Sequence, residues 1–340
     1  MSERISLGHG GGGTLMQRLI DAELRPLLAD PRAPLHDAAR LELPHGRLAF
    51  STDGYVVRPL EFPGGDIGRL AVVGTANDLA MAGARPLRLS LGLILEEGLE
   101  LALLRRLLAS LAAAAQACEL QLVCGDTKVV ERGKGDGAFF TTSGIGLLEV
   151  SEPIDPGAIR AGDQLLISGD PGRHGLAILA ARHGLDLQPL VVSDCEPLWP
   201  AVRQLLERGV RPHCLRDLTR GGLAAALHEL ATDSGLTLRV EEERIPLLPV
   251  VARGAELLGL DPLHLACEGR FVAVVAPGDL EAALEVLAPG GGAWIGAVEE
   301  AAPSPSVAQV AAQPRVLLRT AFGSERLLLP PSGELLPRIC

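Results

Sequence analysis

Lysine is all but absent from this 340-residue chain: of its 31 basic residues only Lys128 and Lys134 are lysine. Arginine serves everywhere else, so a retained lysine points to a compact ammonium whose pKa can be tuned rather than to a planar fork. Aromatic residues are scarce as well, at 3%, and the core must be built from aliphatic side chains on helices and strands. The six cysteines, at 118, 124, 195, 214, 267 and 340, include no CxxC pair and no zinc-ligand spacing, which argues against a disulfide framework or a structural metal. No unbroken apolar run is long enough to span a membrane. The most apolar helical stretch, residues 99–117, carries Glu100, Arg105 and Arg106, as suits a helix packed on a sheet. Ser2 to Gly13 holds no long apolar segment ahead of its glycines, so no secretory signal is expected and the expected location is cytoplasmic. Clustered positive charge is missing too, with a formal net charge of −11 and a pI near 5.3. That balance argues against nucleic acid and anionic membrane as partners, leaving small molecules and other proteins.

At this length two domains are expected rather than one. Apolar spacing predicts a helix over 14–28, a strand over 47–52 that delivers Asp53, and a helix over 67–82 carrying Asn77 and Asp78. A strand at 90–95, a helix at 99–118, a strand at 120–124 presenting Asp126, and a strand at 139–150 complete a first unit. Pro153, Pro156 and Gly157 interrupt any regular element, which makes 151–157 the boundary. The pattern then restarts with strands at 165–168 and 271–276 and helices at 175–183, 197–208, 223–233 and 280–287, before a final strand at 316–320. The fold class is α+β (α/β), with an N-terminal domain over 1–150, a C-terminal domain over 151–320 and a flexible tail over 321–340. Pro330, Pro331, Ser332, Gly333 and Pro337 keep the tail extended. At roughly 3.3 Å per residue its reach is about 30 Å, enough to swing Cys340 from solvent into a cleft of the same protein.

Carboxylates gather at strand ends and helix-adjacent loops: Asp37, Asp53, Asp78, Asp126 and Asp217. Each alone fits an ordinary cap or turn. Several elements each offering an Asp is how a sheet edge collects oxygen ligands for Mg2+, which binds through a few carboxylates plus substrate phosphates, and a magnesium nucleotide is implied. Three glycine-rich loops, at 8–13, 169–175 and 221–222, could offer backbone N–H groups to phosphates. None is a Walker loop or a Rossmann GxGxxG. Arg220 adds a cation at a helix start. Lys128 lies in Gly125-Asp126-Thr127-Lys128 beside acid, and Lys134 in a glycine-rich turn. Glu268, in Cys267-Glu268-Gly269-Arg270 ahead of an apolar strand, fits either a base or a paired surface carboxylate.

Taken in order, residues 9–13, Asp37-Ala38-Ala39, Thr52-Asp53-Gly54-Tyr55-Val56-Val57, Phe62 to Gly68, Asn77-Asp78-Leu79-Ala80, Gly125 to Val129, Asp217 to Gly222 and Pro337-Arg338-Ile339-Cys340 form one series. It closely resembles the carbamoyl dehydratase (HypE) family of hydrogenase maturation, within the aminoimidazole ribonucleotide synthetase (PurM-like) superfamily. The internal motifs indicate the superfamily; the terminal Pro-Arg-Ile-Cys indicates the family. The resemblance covers essentially the whole chain.

The resemblance implies a two-domain PurM-like fold, a homodimer whose N-terminal domains pair through their strands, and ATP in a cleft between the two domains. It implies that a carbamoyltransferase (HypF) carbamoylates Cys340, that ATP-dependent dehydration turns the S-carboxamide into a thiocyanate, and that the cyano group reaches the iron of a nickel-iron hydrogenase through a scaffold and a chaperone (HypD, HypC). An amide oxygen leaves poorly; phosphorylating it makes the departing species phosphate, and loss of the nitrogen proton completes the nitrile. Such a reaction is mostly positioning and electrostatics. Cys340 is then the acceptor thiol, Lys128 steadies developing negative charge and Glu268 handles the nitrogen proton. Asp37, Asp53, Asp78 and Asp126 match the positions for Mg2+ and nucleotide, with Asn77, Thr127, Asp217, Gly10, Gly11 and Gly12 as further nucleotide contacts.

Other readings share parts of this pattern. Selenophosphate synthetase normally has a Cys or selenocysteine with Lys near its N-terminus, whereas the first cysteine here is Cys118. Thiamine-phosphate kinase has the acidic loops but no use for the terminal Pro-Arg-Ile-Cys. A non-enzymatic thiol or metal carrier with a regulatory nucleotide site is the alternative of a different class, and ATP consumption that depends on a carbamoylated Cys340 separates it from an enzyme.

Overall fold

The computed structural model describes residues 4–32, 38–301, 315–320, 322–330 and 338–340. Helix α1 (Thr14–Leu19) continues through a widened turn at Ile20–Leu24 into a 3-10 turn at Arg25–Leu27. The helical run expected over 14–28 is therefore continuous but irregular, and it tightens where Pro26 offers no backbone N–H. Strand β1 (Leu48–Tyr55) is followed by a small hairpin of β2 (Glu61–Phe62) and β3 (Gly65–Asp66), helix α2 (Ile67–Met81), β4 (Ala84–Glu96), α3 (Leu101–Ala117), β5 (Gln121–Val130) and β6 (Ala138–Leu148). Four of these strands form one sheet in the order β1-β6-β4-β5, with β4 and β5 parallel and the other pairs antiparallel.

Nearly every residue of α2 is buried, which its almost uniformly apolar sequence predicts for a helix covered on all sides. Asp66 caps it, accepting from the N–H groups of Gly68 and Arg69. Gly68 lets α2 cross α3 at close range, since a Cβ there would collide with the Leu107 carbonyl. Three strands, β1, β4 and β5, run further than the sequence reading gave. The strand expected to end at Cys124 continues to Val130, because Gly125 does not terminate it: a Cβ there would stand 2.5 Å from the Leu91 carbonyl oxygen of β4, so the glycine serves strand pairing. Asp126, Thr127 and Lys128 therefore lie within a strand, as Asp53 does within β1.

The second sheet uses β7 (Gln164–Ile167), β8 (Cys214–Asp217), β9 (Thr237–Glu241), β10 (Phe271–Val275), β11 (Ala293–Glu299), β12 (Val316–Arg319) and β13 (Glu325–Leu327). Their order is β13-β12-β9-β11-β7-β10-β8. Helices α4 (Arg173–His183), α5 (Trp199–Glu207), α6 (Gly222–Ser234), α7 (Pro249–Leu258) and α8 (Leu280–Leu287) accompany it. Sequence patterning missed β8, β9, β11, α7 and β13, which pairs with β12 inside the segment expected as tail. Arg216 and Asp217 hide the short β8, and Pro249 reads as a breaker although it starts α7, where its fixed φ is suited.

The largest apolar core joins α2, α3 and the first sheet to residues of α4 and α7 and to Ile339. The end of the sequence is thus part of the packing between the domains. Among the described residues, no helix is long and apolar enough to cross a membrane.

Candidate active site

Residues 338–340 lie along the segment that leaves β1. The Val56 N–H donates to the Cys340 carbonyl and the Arg58 N–H to the Arg338 carbonyl, both at 3.2 Å. The two bonds lay residues 338–340 antiparallel to residues 56–58, with Arg338 in the left-handed region (φ 59°). Ile339 turns inward and joins the apolar core, where it is 2% exposed. Arg338 pairs with Asp136 at 2.7 Å, and the Arg182 guanidinium donates to the carbonyls of Arg338 (2.6 Å) and Arg58 (3.0 Å). His174 bonds the Ile339 carbonyl at 2.9 Å.

This docking sets Cys340 beside carboxylates from three elements, Asp53 of β1, Asp217 of β8 and Glu268 of the loop before β10, and Asp78 of α2 adjoins the same group. Burial pushes the Cys340 thiol far above its usual range, and the charge of Glu268 pushes the same way against the opposing pull of Arg220. Glu268 is 3% exposed; burial raises its carboxyl well above the usual range, helped by Asp194, Asp217, Asp53 and Asp78. Asp217 is pushed up to about 6, by burial first and then by Asp78, with Arg216 opposing. Burial also raises Asp78, against a 2.6 Å hydrogen bond from the Ser51 hydroxyl and with the help of Asp53. A thiol beside a buried carboxyl of raised proton affinity is arranged for proton transfer once an electrophile is formed there.

Asn77 lies beneath the site. Its Nδ2 donates to the carbonyls of Glu268 (2.9 Å) and Glu196 (3.1 Å), and its Oδ1 accepts the Leu198 N–H at 2.8 Å. Its amide is spent on holding the loop of Glu268.

The remaining sequence candidates lie elsewhere. Lys128, on the sheet edge opposite β1, pairs with Asp126 at 2.8 Å in solvent. The hydrogen bond from Lys128 lowers the Asp126 carboxyl, with burial opposing. Asp126 and the buried Thr127 help line an open cavity of about 630 Å³, together with Met16, Leu24, Leu91 and Leu122. Gly10 packs on the same strand, where a Cβ would stand 2.8 Å from the Val129 nitrogen. Gly11 and Gly12 form an exposed turn beside it. Asp37 lies outside the described residues. Among the described residues, no group of three or more His, Cys, Asp or Glu side chains is arranged to hold a metal ion.

Two of the glycine-rich loops do a different job from the one their sequence suggests. The Gly172 N–H meets Cys267 Sγ at 3.1 Å and the Gly175 N–H meets the Ala266 carbonyl at 2.9 Å, and a Cβ on Gly222 would collide with the Leu265 carbonyl. These glycines admit the loop that ends in Glu268. Sequence reasoning missed His174, Ser193 and Asp194, whose Oδ1 accepts the Glu268 N–H at 3.1 Å. Only burial distinguishes them from surface residues, and no local pattern reports it.

Residues 35–148 match the family described as AIR synthase related protein, N-terminal domain, and residues 160–304 match its C-terminal domain. Carbamoyl dehydratase HypE of Rhodobacter capsulatus is 48% identical over 345 residues, covering 99% of this chain and 98% of that protein. The crystal structure of hydrogenase maturation protein HypE in complex with ATP superposes with a TM-score of 0.91 at 45% identity, over 98% of this chain and 99% of the other. A chain of the crystal structure of a HypE–HypF complex does so with a TM-score of 0.77 at 38% identity, over 84% and 90%. With matches of this extent across both domains, the chain belongs to the carbamoyl dehydratase HypE family of AIR synthase-related proteins.

Proposed function

We propose that this chain dehydrates an S-carboxamide carried on its own Cys340 to a thiocyanate, using ATP, and so supplies the cyanide ligand of a nickel-iron hydrogenase. The observation that carries the reading is the docked chain end, which brings Cys340 into a buried pocket beside Glu268. A carbamoyl group on Sγ would enter the same pocket, tethered, so its orientation comes from the tail's hydrogen bonds rather than from a separate binding step. Glu268 takes the nitrogen proton. Burial among four other carboxylates gives it the proton affinity such a base needs. Bound ATP supplies the phosphoryl group that makes the carboxamide oxygen a leaving group.

The chemistry of the carboxylates near Cys340 suits magnesium. Asp53 and Asp78 come from adjacent elements, and Asp53 raises the proton affinity of Asp78; a divalent cation relieves such crowding and needs only one or two carboxylates besides phosphate oxygens. We assign Asp53 and Asp78 to that role with Asp37 and Asp126, and Asp217, Thr127 and Gly10 to Gly12 to the nucleotide.

Lys128 meets this pocket if the protein is a homodimer. Strands β1 and β5 are the two edges of a four-stranded sheet; β5 is bridged only at Leu122, by Leu28, among the described residues, and β1 exposes Phe50 at 69%. A bare edge with an exposed apolar side chain, such as β1, invites a second copy. Pairing there brings Lys128 and Asp126 of one copy towards the Asp53 face of the other. A carbamoyltransferase of the HypF kind is the donor, and the scaffold and chaperone (HypD, HypC) are the acceptors of the cyano group, in the cytoplasm.

The test is intact-protein mass spectrometry of wild type and Cys340→Ala after incubation with the carbamoyltransferase, carbamoyl phosphate and ATP, then with Mg-ATP. The reading expects one carbamoyl group gained on Cys340 and then one water lost. A Cys340 that never accepts the group, or keeps it intact with Mg-ATP, overturns it and favours the carrier.

A further inference from the structure

His174 is fully buried at the start of α4, and its hydrogen bonds have only one consistent direction. A carbonyl oxygen only accepts, so the 2.9 Å bond to Ile339 puts the proton on Nε2. Nδ1 is then an acceptor, and the Ser193 hydroxyl lies 2.8 Å from it. Ser193 Oγ itself accepts the Cys195 N–H at 3.1 Å, which leaves its hydrogen for Nδ1. The series from Cys195 through Ser193 and His174 to Ile339 fixes the tautomer of the ring. Burial lowers the His174 pKa, in keeping with a neutral ring. Phe62 packs edge-on against it, with centroids 5.5 Å apart at 88°, and holds the ring plane.

The same Nε2 stands 4.0 Å from Glu268 Oε1, too far for a hydrogen bond. That carboxyl oxygen is buried without a hydrogen-bond partner among the described residues. The proton that could have satisfied Glu268 goes to the chain end instead. One side chain therefore grips the residue before Cys340 and leaves the neighbouring carboxyl open to what Cys340 carries.

We propose that His174 is a positioning residue: by donating to the Ile339 carbonyl it latches the chain end in the pocket and sets Cys340 against an unpartnered Glu268 oxygen. Its effect on dehydration rests on the function proposed above; its effect on the chain end does not.

The experiment uses the full-length chain as wild type, His174→Phe, His174→Gln and Ser193→Ala. Alkylation of Cys340 by iodoacetamide without ATP is followed by mass spectrometry of the C-terminal peptide. Phe keeps the buried ring but cannot donate, and removing one such bond should speed labelling about tenfold. Gln, whose amide N–H can reach the same carbonyl, should stay within about threefold of wild type, and Ser193→Ala should speed labelling by about two- to threefold. In carbamoylated protein, His174→Phe should dehydrate about tenfold more slowly while accepting the carbamoyl group no more slowly. Labelling of His174→Phe at the wild-type rate overturns the proposal, as does a Gln variant as defective as Phe, which would reduce His174 to packing. If His174→Phe shows no cooperative unfolding transition, Ser193→Ala decides, and unchanged labelling there overturns it. A wild type that never dehydrates sinks the function while the labelling still decides the latch.

Discussion

Asn77 binds the carbonyl oxygen of Glu268 at 2.9 Å, so the helix that carries Asp78 also holds the carboxyl set against Cys340. Acidic side chains from two domains are registered by one amide. Asn77→Ala leaves the Glu268 and Glu196 carbonyls and the Leu198 N–H without their partner. Buried groups stripped of partners lose about 1–3 kcal/mol each, offset in part by water entry. Urea unfolding should show a loss of roughly 2–4 kcal/mol, with dehydration slowed further than stability alone explains. A variant as stable as wild type would show that the three bonds are replaced.

Gly269 makes a second test of the same loop. A Cβ at this position would collide with the Asp194 carbonyl and stand 3.0 Å from the Glu196 nitrogen. These are backbone atoms, so relief requires the loop to move. Gly269→Ala should destabilise by at least about 2 kcal/mol and displace Glu268 from Asp194, abolishing most dehydration while sparing carbamoylation of Cys340. Thermal unfolding read beside the two modification rates checks this, and an unchanged midpoint would contradict the packing described.

How much of this was legible in the sequence depends on the range of the cause. α2, α3 and α8 were read within a residue or two, because apolar periodicity is local. Asp53, Asp78, Asp217 and Glu268 were picked out by residue type, and the fold brings them into one cluster, with Cys340 beside Glu268, Asp53 and Asp217. Lys128 and Asp126 were picked out in the same way and lie at the other edge of the sheet, because strand order is decided by pairing between distant segments. Gly172, Gly175 and Gly222 resembled phosphate loops because a glycine's reason for being there, a neighbouring backbone too close for a Cβ, does not appear in its own segment. His174 sat inside one of those loops unnoticed, its role set by Ser193 and Ile339, which are 19 and 165 residues away.

Asp217 predicts a pH dependence of stability. Its carboxyl is pushed from 3.8 to about 6 in the folded protein, so folding favours the protonated form. That contribution is full below about pH 4 and is lost as pH rises through 6. Asp217→Asn keeps the shape and removes the charge. The unfolding free energy of the variant should gain on wild type by about 1.4 kcal/mol between pH 5 and pH 7.5, the value of one pKa unit. Urea titrations at those two pH values measure it, and a constant difference would mean that Asp217 is solvated.

Lys128 provides the sharpest test of the proposed dimer. Three strand spacings separate β5 from β1 within one sheet, about 14 Å, and its ammonium is turned to Asp126. A lysine that steadies charge on the carboxamide must then act on the Cys340 of a second copy. Lys128→Ala and Glu268→Ala should each lose dehydration by about 100-fold or more when alone. Mixed one to one with subunit exchange, half the dimers are hybrids, and each hybrid holds one complete site, built from Glu268 of one variant and Lys128 of the other. About a quarter of all sites should recover. Mass spectrometry adds a sharper criterion, because the thiocyanate should form only on chains bearing Lys128→Ala. Activity that stays lost on mixing would place Lys128 in its own chain's reaction, or outside the reaction altogether.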